Sequence, residues 1–341
     1  MSGSALSPMN DHFTPKPWAK NPHLQTIFSS LRIRAMGRNP MADAAAGMIV
    51  DGGNGVRLQG YWSRRVGRKS AGLVLLLHGW EGSSDSTYIR HTGRYLFERG
   101  FDIFRLNLRD HGDSHHLNEG LFHSALIDEV FNAARFVSSL SDRRPFFIIG
   151  FSLGGNFGLR IALRHTATPI PNLSHVFAIS PVLNPLRATL AIDNGLSLYR
   201  RYFVNKWKRS LKKKQDLFPS RYRFDDVLQY HTCMEITDAV IPRYSPFRNH
   251  QEYFMTYTLL GDIFGDITVP VLLIASADDP VIPVEDFHAL RGNRHLEMKI
   301  ERFGGHCGFL DPFPLGSWYE RQIERRLREH TALTTGISDI G

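Results

Sequence analysis

Ser152 stands at the centre of Gly150-Phe151-Ser152-Leu153-Gly154. An apolar run, Pro145-Phe146-Phe147-Ile148-Ile149, precedes it, and a helix-forming segment from Asn156 to Leu163 follows. That order reads as strand, tight turn and helix, with a hydroxyl at the apex. A serine so placed is pushed out over the end of a sheet, and glycines two before and two after it let strand and helix approach closely. The first N–H groups of the helix then point at whatever the serine attacks. The chemistry this suits is nucleophilic attack on a carbonyl carbon. It needs a base, and an acid that orients the base.

Both candidates come later in the chain, at strand ends. Val269 to Ala275 reads as a buried strand and runs into Ser276-Ala277-Asp278-Asp279-Pro280-Val281-Ile282-Pro283. Either aspartate could serve as the acid. Asp279 is preferred, because an acid followed by proline, two apolar residues and a second proline is the commoner surrounding; Asp278 would then cap or hydrogen-bond locally. Leu296 to Arg302 alternates like a last strand and leads into Phe303-Gly304-Gly305-His306, which sets a histidine on a glycine-rich loop. Taken singly, each motif has an ordinary structural explanation: a turn, a cap, a solvated histidine. Their joint order, serine then acid then histidine, each at a strand end, argues for a catalytic triad of Ser152, Asp279 and His306.

A developing oxyanion needs donors. Ala71 to Leu77 has the composition of a fully buried strand and ends at His78-Gly79-Trp80-Glu81-Gly82. The backbone N–H groups of Trp80 and Leu153 are the expected oxyanion hole. Gly79 lets the chain turn, His78 is expected to brace the loop, and the Trp80 ring is free to pack in the core or against a lid.

The elements that must position these residues alternate along the chain. Met48–Val50 and Val56–Trp62 flank Asp51-Gly52-Gly53-Asn54-Gly55 and read as a hairpin. Strands are then expected over 73–77, 101–106, 146–150 and 175–180, and helices near 86–98, 122–139 and 153–165. Such alternation gives a mostly parallel sheet with right-handed crossovers. The 341 residues can bury a large core as one α/β unit. Two cysteines, Cys233 and Cys307, are too few for a disulfide framework and imply a reducing compartment; Cys307 is read as a packing residue. Met1 to Lys20 has no apolar core of a signal peptide, and no run approaches the roughly 20 residues that span a bilayer. A soluble, cytoplasmic protein is the expectation.

The rhythm breaks from Asn184 to Ile267. Within this stretch, Arg200 to Arg223 holds ten Lys/Arg and a single acid, Asp216, and contributes much of the net charge of +8. Leu196, Tyr199, Phe203, Trp207 and Leu211 recur at three- and four-residue spacing, an apolar stripe on a basic helix. One reading is a lid lying on an anionic lipid surface, with peripheral membrane contact. The preferred one is a cap helix whose stripe packs on the core while its lysines are solvated. No recognised nucleic-acid motif accompanies the charge, so a nucleic-acid partner is not expected. His115 and His116 lack the acid or cysteine spacing of a metal site, and no metal or cofactor is expected. Arg109-Asp110-His111-Gly112-Asp113 is read as structural.

Several segments together resemble the YheT-like α/β-hydrolases, the lipase/esterase branch of the abhydrolase proteins. They are Asn21-Pro22-His23-Leu24-Gln25-Thr26, His78 to Ser84, Ser86 to Arg90, Asn107 to Ser114, Gly150 to Asn156 and Gly304 to Phe309. The resemblance spans about residues 18–330. It implies an α/β-hydrolase fold with a mostly parallel central sheet flanked by helices. It also implies a cofactor-free Ser-Asp-His hydrolase of carboxylic esters, often acylglycerols or phospholipids. The expected organisation is an N-terminal extension over 1–47, a core over 48–183 and 268–341, and a helical cap over 184–267. Eukaryotic members often carry an N-terminal membrane anchor; none is expected here. Acyltransfer through an H-x4-D motif has been suggested for relatives, and His123 and Asp128 have that spacing. Beside the esterase reading stand an acyltransferase or thioesterase using the same acyl-serine, and a silent binding protein on a hydrolase scaffold.

Overall fold

The computed structural model describes residues 12–338; the first eleven residues of the expected N-terminal extension and the last three of the expected core lie outside them. The strands are β1 (Ala45–Gly53), β2 (Val56–Ser63), β3 (Leu73–Leu77), β4 (Asp102–Leu106), β5 (Phe146–Phe151), β6 (Leu173–Ile179), β7 (Gly261–Phe264), β8 (Val271–Ser276), β9 (Leu290–Gly292) and β10 (Leu296–Glu301). The helices are α1 (Pro22–Ser29), α2 (Pro40–Asp43), α3 (Thr87–Glu98), α4 (Ile127–Ser139), α5 (Leu153–Ala167), α6 (Pro185–Asn194), α7 (Ser197–Leu217), α8 (Cys233–Tyr244), α9 (His250–Met255), α10 (Val284–His288) and α11 (Trp318–Ser338).

Eight strands form one sheet in the order β1-β2-β4-β3-β5-β6-β8-β10. The β1–β2 and β2–β4 pairs are antiparallel, and every pair from β4 to β10 is parallel. The parallel strands are apolar on both faces because each face is covered. Leu73, Leu75 and Leu77 of β3 enter one core with α4 and α5. Val74 and Leu76, pointing the other way, enter a second core with α3 and α11. The chain leaves β3 for β4 on one side and returns to β5 on the other. This reversal opens a crevice at the carboxyl ends of β3 and β5, where ligands bind in open α/β sheets. Leu77 is paired with Gly150, so the turn after β3 and the Ser152 turn emerge side by side.

The chain departs from the sequence expectation in three places. The helix expected from 122 starts at Ile127. Phe122 and Ser124 are held by long-range hydrogen bonds instead, to the Asp110 carboxylate (2.8 Å) and the Tyr253 hydroxyl (2.9 Å). The stretch from 184 to 267 contains a strand after its helices α6 to α9: β7, which pairs with β9 in a separate two-stranded sheet. Finally, the stripe on α7 is only partly inward. Tyr199 and Leu211 are buried and Phe203 and Trp207 pack on the core, while Leu196, just before the helix, is 47% exposed.

Helix α7 is pinned to the sheet by its own charge. Lys214 is fully buried and donates to Asp110 Oδ1 (2.8 Å) and to the carbonyls of Asn118 (2.6 Å) and His115 (3.3 Å). His115 Nε2 meets the Ser210 hydroxyl at 2.9 Å. The Arg109–Asp113 turn is thus the dock for the second half of α7. One of the ten basic residues of this stretch is a core anchor rather than a solvated one.

Candidate active site

Ser152 has φ 53° and ψ −117°, a conformation that costs a side-chain-bearing residue about 1–3 kcal/mol. Its neighbours hold it there. The Ser152 N–H donates to Ile179 O (2.9 Å), and its carbonyl accepts from Asn156 (3.0 Å) and Val182 (3.3 Å). The flanking glycines are required by contact: a Cβ on Gly150 would lie 2.1 Å from Gly154 O, and one on Gly154 would lie 2.3 Å from Leu77 O. Neither backbone oxygen can yield without parting strand from helix.

His306 Nδ1 lies 2.9 Å from Asp279 Oδ2. The other oxygen, Asp279 Oδ1, accepts the N–H groups of Val281 (2.8 Å) and Ile282 (3.0 Å), which fixes the carboxylate in rotation. Asp278 faces elsewhere: its Oδ1 accepts from Gly305 N at 2.9 Å and so holds the histidine loop. Burial pushes the Asp278 carboxyl above its ordinary range. Burial alone would lower the His306 pKa. The Asp279 carboxylate beside it, with a smaller contribution from Cys307, outweighs that and holds the imidazole well above 6.5. The His306 loop is further tied by Ser276 Oγ donating to Gly305 O (2.9 Å) and by His306 N donating to Thr26 Oγ1 (2.9 Å). Gly305, at φ 56°, sits so close to α1 that a Cβ would fall 2.4 Å from Pro22 O.

The turn after β3 lies against Ser152, with a Cβ on Gly79 only 3.2 Å from Ser152 Cβ. Tyr88 of α3 accepts the Gly79 N–H at 2.9 Å and braces this turn. The N–H groups of Trp80 and Leu153 donate to no other group among the described residues. His78 is buried, its Nδ1 against Gly79 O (2.8 Å) and its Nε2 accepting from Leu108 N (3.1 Å). Burial and the nearby His111 keep it neutral, which suits a brace rather than a proton carrier. The Trp80 ring stacks on Phe203 (5.4 Å) and meets Trp207 edge-on (5.0 Å). Lys206 donates to Glu81 O at 2.9 Å. Helix α7 therefore grips the turn that carries the Trp80 N–H.

Two cavities meet at Ser152. An inner chamber of about 90 Å³ lies under α6, α8 and α9, with Leu153, Ile192, Val240, Ile241 and Phe254 in its walls. A cleft of about 340 Å³ runs outward past His306, Glu81 and Lys206 to an opening between α1 and α7. Trp80, Phe203 and Val281 border both. The Glu81 carboxyl is pushed up by burial to about 8, so it is largely neutral at pH 7.

The structure thus brings Ser152, Asp279, His306, Leu153 and Trp80 to one end of the sheet. It separates the H-x4-D pair. Asp128 is exposed and paired with Arg164, while His123 borders the inner chamber with its ring edge-on to Phe247 and Tyr253. Cys307 is buried and donates its N–H to Ser180 Oγ (3.1 Å). Thr26, Tyr88 and Lys206 were not singled out from sequence. The first two lie in segments that carry the family resemblance, which is the available signal; nothing local marks Lys206 among its basic neighbours.

The profile of the alpha/beta hydrolase fold matches residues 72–313. Human Protein ABHD15 is 25% identical over 341 residues, covering 93% of this chain and 68% of that protein. Monoacylglycerol lipase ABHD2 of Danio rerio is 26% identical over 210 residues, 55% of this chain and 48% of that protein. Among solved structures, the Pyrococcus furiosus esterase Pf2001 superposes with a TM-score of 0.53 at 16% identity, covering 86% of this chain and 96% of its own. That likeness is one of fold.

Proposed function

The chain belongs to the alpha/beta hydrolase fold family, and we propose that it is a serine hydrolase that cleaves carboxylic esters through an acyl-serine intermediate. Its placement in the YheT-like branch and its action on lipid or acylglycerol esters are part of the same proposal. The observation that carries it is the 2.9 Å contact between His306 Nδ1 and Asp279 Oδ2, in a loop whose histidine borders the same cleft as the strained Ser152. The names of the relatives, a monoacylglycerol lipase among them, support it.

In the neutral imidazole, Asp279 holds the one ring proton of His306 on Nδ1, which leaves Nε2 free as the base. Oγ of Ser152 forms a bond to the ester carbonyl carbon as its proton passes to Nε2. The negative charge that develops on the carbonyl oxygen is met by the N–H groups of Leu153 and Trp80. One such donor is worth about 3–4 kcal/mol in a comparable hydrolase. Collapse expels the alcohol, which takes the proton from His306. Water, deprotonated by the same nitrogen, then releases the acid and restores Ser152. The apolar inner chamber suits the acyl chain, and the cleft with its neutral Glu81 and Lys206 suits the alcohol portion. The residues of the Asn184–Ile267 stretch roof the chamber and are proposed as the cap that sets chain length.

The test is hydrolysis of p-nitrophenyl esters from acetate to palmitate, with Ser152→Ala as control. Turnover should fall by more than about 10⁴-fold in the variant with its circular dichroism unchanged, and a fluorophosphonate should label only the parent. Wild-type-like turnover by Ser152→Ala would remove the assignment.

A further inference from the structure

Helix α7 presents a second face, opposite the one that packs on Trp80 and the core. Leu198, Arg201, Tyr202, Asn205, Arg209, Lys212 and Asp216 are all exposed. Their three- and four-residue spacing puts them on one stripe. The stripe carries Leu198 and Tyr202 at its first turns beside Arg201, and beyond them Arg209 and Lys212, the latter paired with Asp216 at 2.6 Å. Its apolar end is also the rim of the active-site cleft, since Leu198 and Tyr202 border that cleft. Across the opening, Leu31 borders it from the end of α1. These are large hydrophobic side chains left in water: Leu198 is 55% exposed, Tyr202 48% and Leu31 37%, with Leu196 (47%) and Ile33 (53%) beside them in the chain.

Charge points the same way. Lys16 to Arg38, the segment carrying Leu31 and Ile33, holds five basic residues, of which Arg34 is buried, and no acid. Arg200 to Arg223 holds ten basic residues and one acid, and nine of the ten remain once the buried Lys214 is set aside. The carboxyl that borders the cleft, Glu81, is the neutral one described above.

We propose that this rim is a docking surface for an anionic lipid bilayer: the apolar side chains at the start of α7 and in the segment after α1 enter the boundary between headgroups and acyl chains, and Arg201, Arg209 and Lys212 lie on the phosphates. A basic amphipathic helix binds such an interface through both terms. A nucleic acid would use the charge and leave the apolar rim in water. A protein partner would cover the mouth through which substrate reaches Ser152. Docked this way, the cleft opens onto the lipid, and a poorly soluble ester reaches Ser152 without crossing water. This last step rests on the ester-hydrolase reading; the docking does not.

The experiment is co-sedimentation of the full chain with vesicles of phosphatidylcholine alone or mixed with phosphatidylglycerol, alongside hydrolysis of a short soluble ester. The chain should partition onto the anionic vesicles and much more weakly onto the neutral ones. Arg209→Ala with Lys212→Ala should lower that partition by about 25-fold, roughly fivefold for each charge removed. Ile33→Asp with Leu196→Asp should abolish the binding that survives high salt. Both pairs lie away from the triad and the cleft lining, so soluble-ester turnover should persist. Equal partition onto both vesicle types, or wild-type partition by either pair of variants, overturns the docking surface. Preserved partition with no ester turnover in any form leaves the docking and removes the ester-hydrolase reading instead.

Discussion

Replacing Asp279 with asparagine changes one oxygen for an amide and should cost nearly all turnover. The direction of the amide is dictated by the backbone. Oδ1 accepts two N–H groups, from Val281 and Ile282. An asparagine keeps both bonds only with its carbonyl oxygen there. Its NH₂ then faces His306 Nδ1, in the place of an oxygen now 2.9 Å away. Two donors cannot meet, so Nδ1 becomes the acceptor and the ring proton moves to Nε2, the atom that must receive the proton of Ser152. A wrong tautomer of this kind lowers kcat by about 10⁴, or about 5.5 kcal/mol at 1.36 kcal/mol per decade. KM should change little, because Asp279 borders neither the cleft nor the chamber. The residual activity should also shift in pH. The Asp279 carboxylate is the larger of the two groups, with Cys307, that hold His306 above 6.5 against burial. With that charge removed, the imidazole pKa falls, and the acid limb moves to lower pH. Asp278→Asn is the internal control. Its Oδ1 can still accept from Gly305, and its Oδ2 has no partner among the described residues, so an NH₂ there breaks no bond. Burial already disfavours the charged form. Turnover should stay within about fivefold of the parent, less than about 1 kcal/mol. The assay is steady-state hydrolysis of a p-nitrophenyl ester from about pH 5 to 9, with circular dichroism on each variant. A 10⁴-fold loss in Asp278→Asn with activity kept in Asp279→Asn would reverse the assignment of the acid. Less than about tenfold loss in both would refute the tautomer argument itself.

Two further outcomes follow from other contacts. Lys214→Met leaves the Asp110 carboxyl, 3% exposed, without its cation, and should destabilise the fold by about 3–5 kcal/mol in urea denaturation; a wild-type midpoint would show that the pair does not anchor α7. Ser152→Gly should be more stable than Ser152→Ala by about 1 kcal/mol, although both are inactive, because glycine adopts φ 53° without the penalty a Cβ incurs; equal thermal midpoints would mean that the turn stores no strain.

Much of this site is legible in the chain itself. The alternation of buried strands and helices needs only local apolar spacing to be recognised, and it fixes the mostly parallel sheet. Gly150 and Gly154 mark a close approach that their contacts require, and His306 on its glycines follows a visible last strand. The choice between Asp278 and Asp279 is not a local matter. Both stand after the same strand, and in the sequence only the prolines beyond favour one. In space they turn apart, Asp279 to the imidazole and Asp278 to Gly305 N. Helix α7 shows where periodicity runs out: three- and four-residue spacing marks an inward stripe and an outward one alike. Which of them meets Trp80 is set by the side chains opposite.

The sequence by itself determined what depends on near neighbours: the strand–turn–helix around Ser152, the placement of the acid and the histidine at strand ends, and the basic character of the 200–223 stretch. Only the tertiary structure decided what depends on distant ones. Thr26 holds the His306 backbone across 280 positions, Tyr88 braces Gly79 from α3, and Lys214 spends its charge on Asp110 inside the protein. Those contacts follow from the order of strands in the sheet and from which helix lies over which edge. A local spacing records the face a residue points from, and the fold alone supplies what it points at.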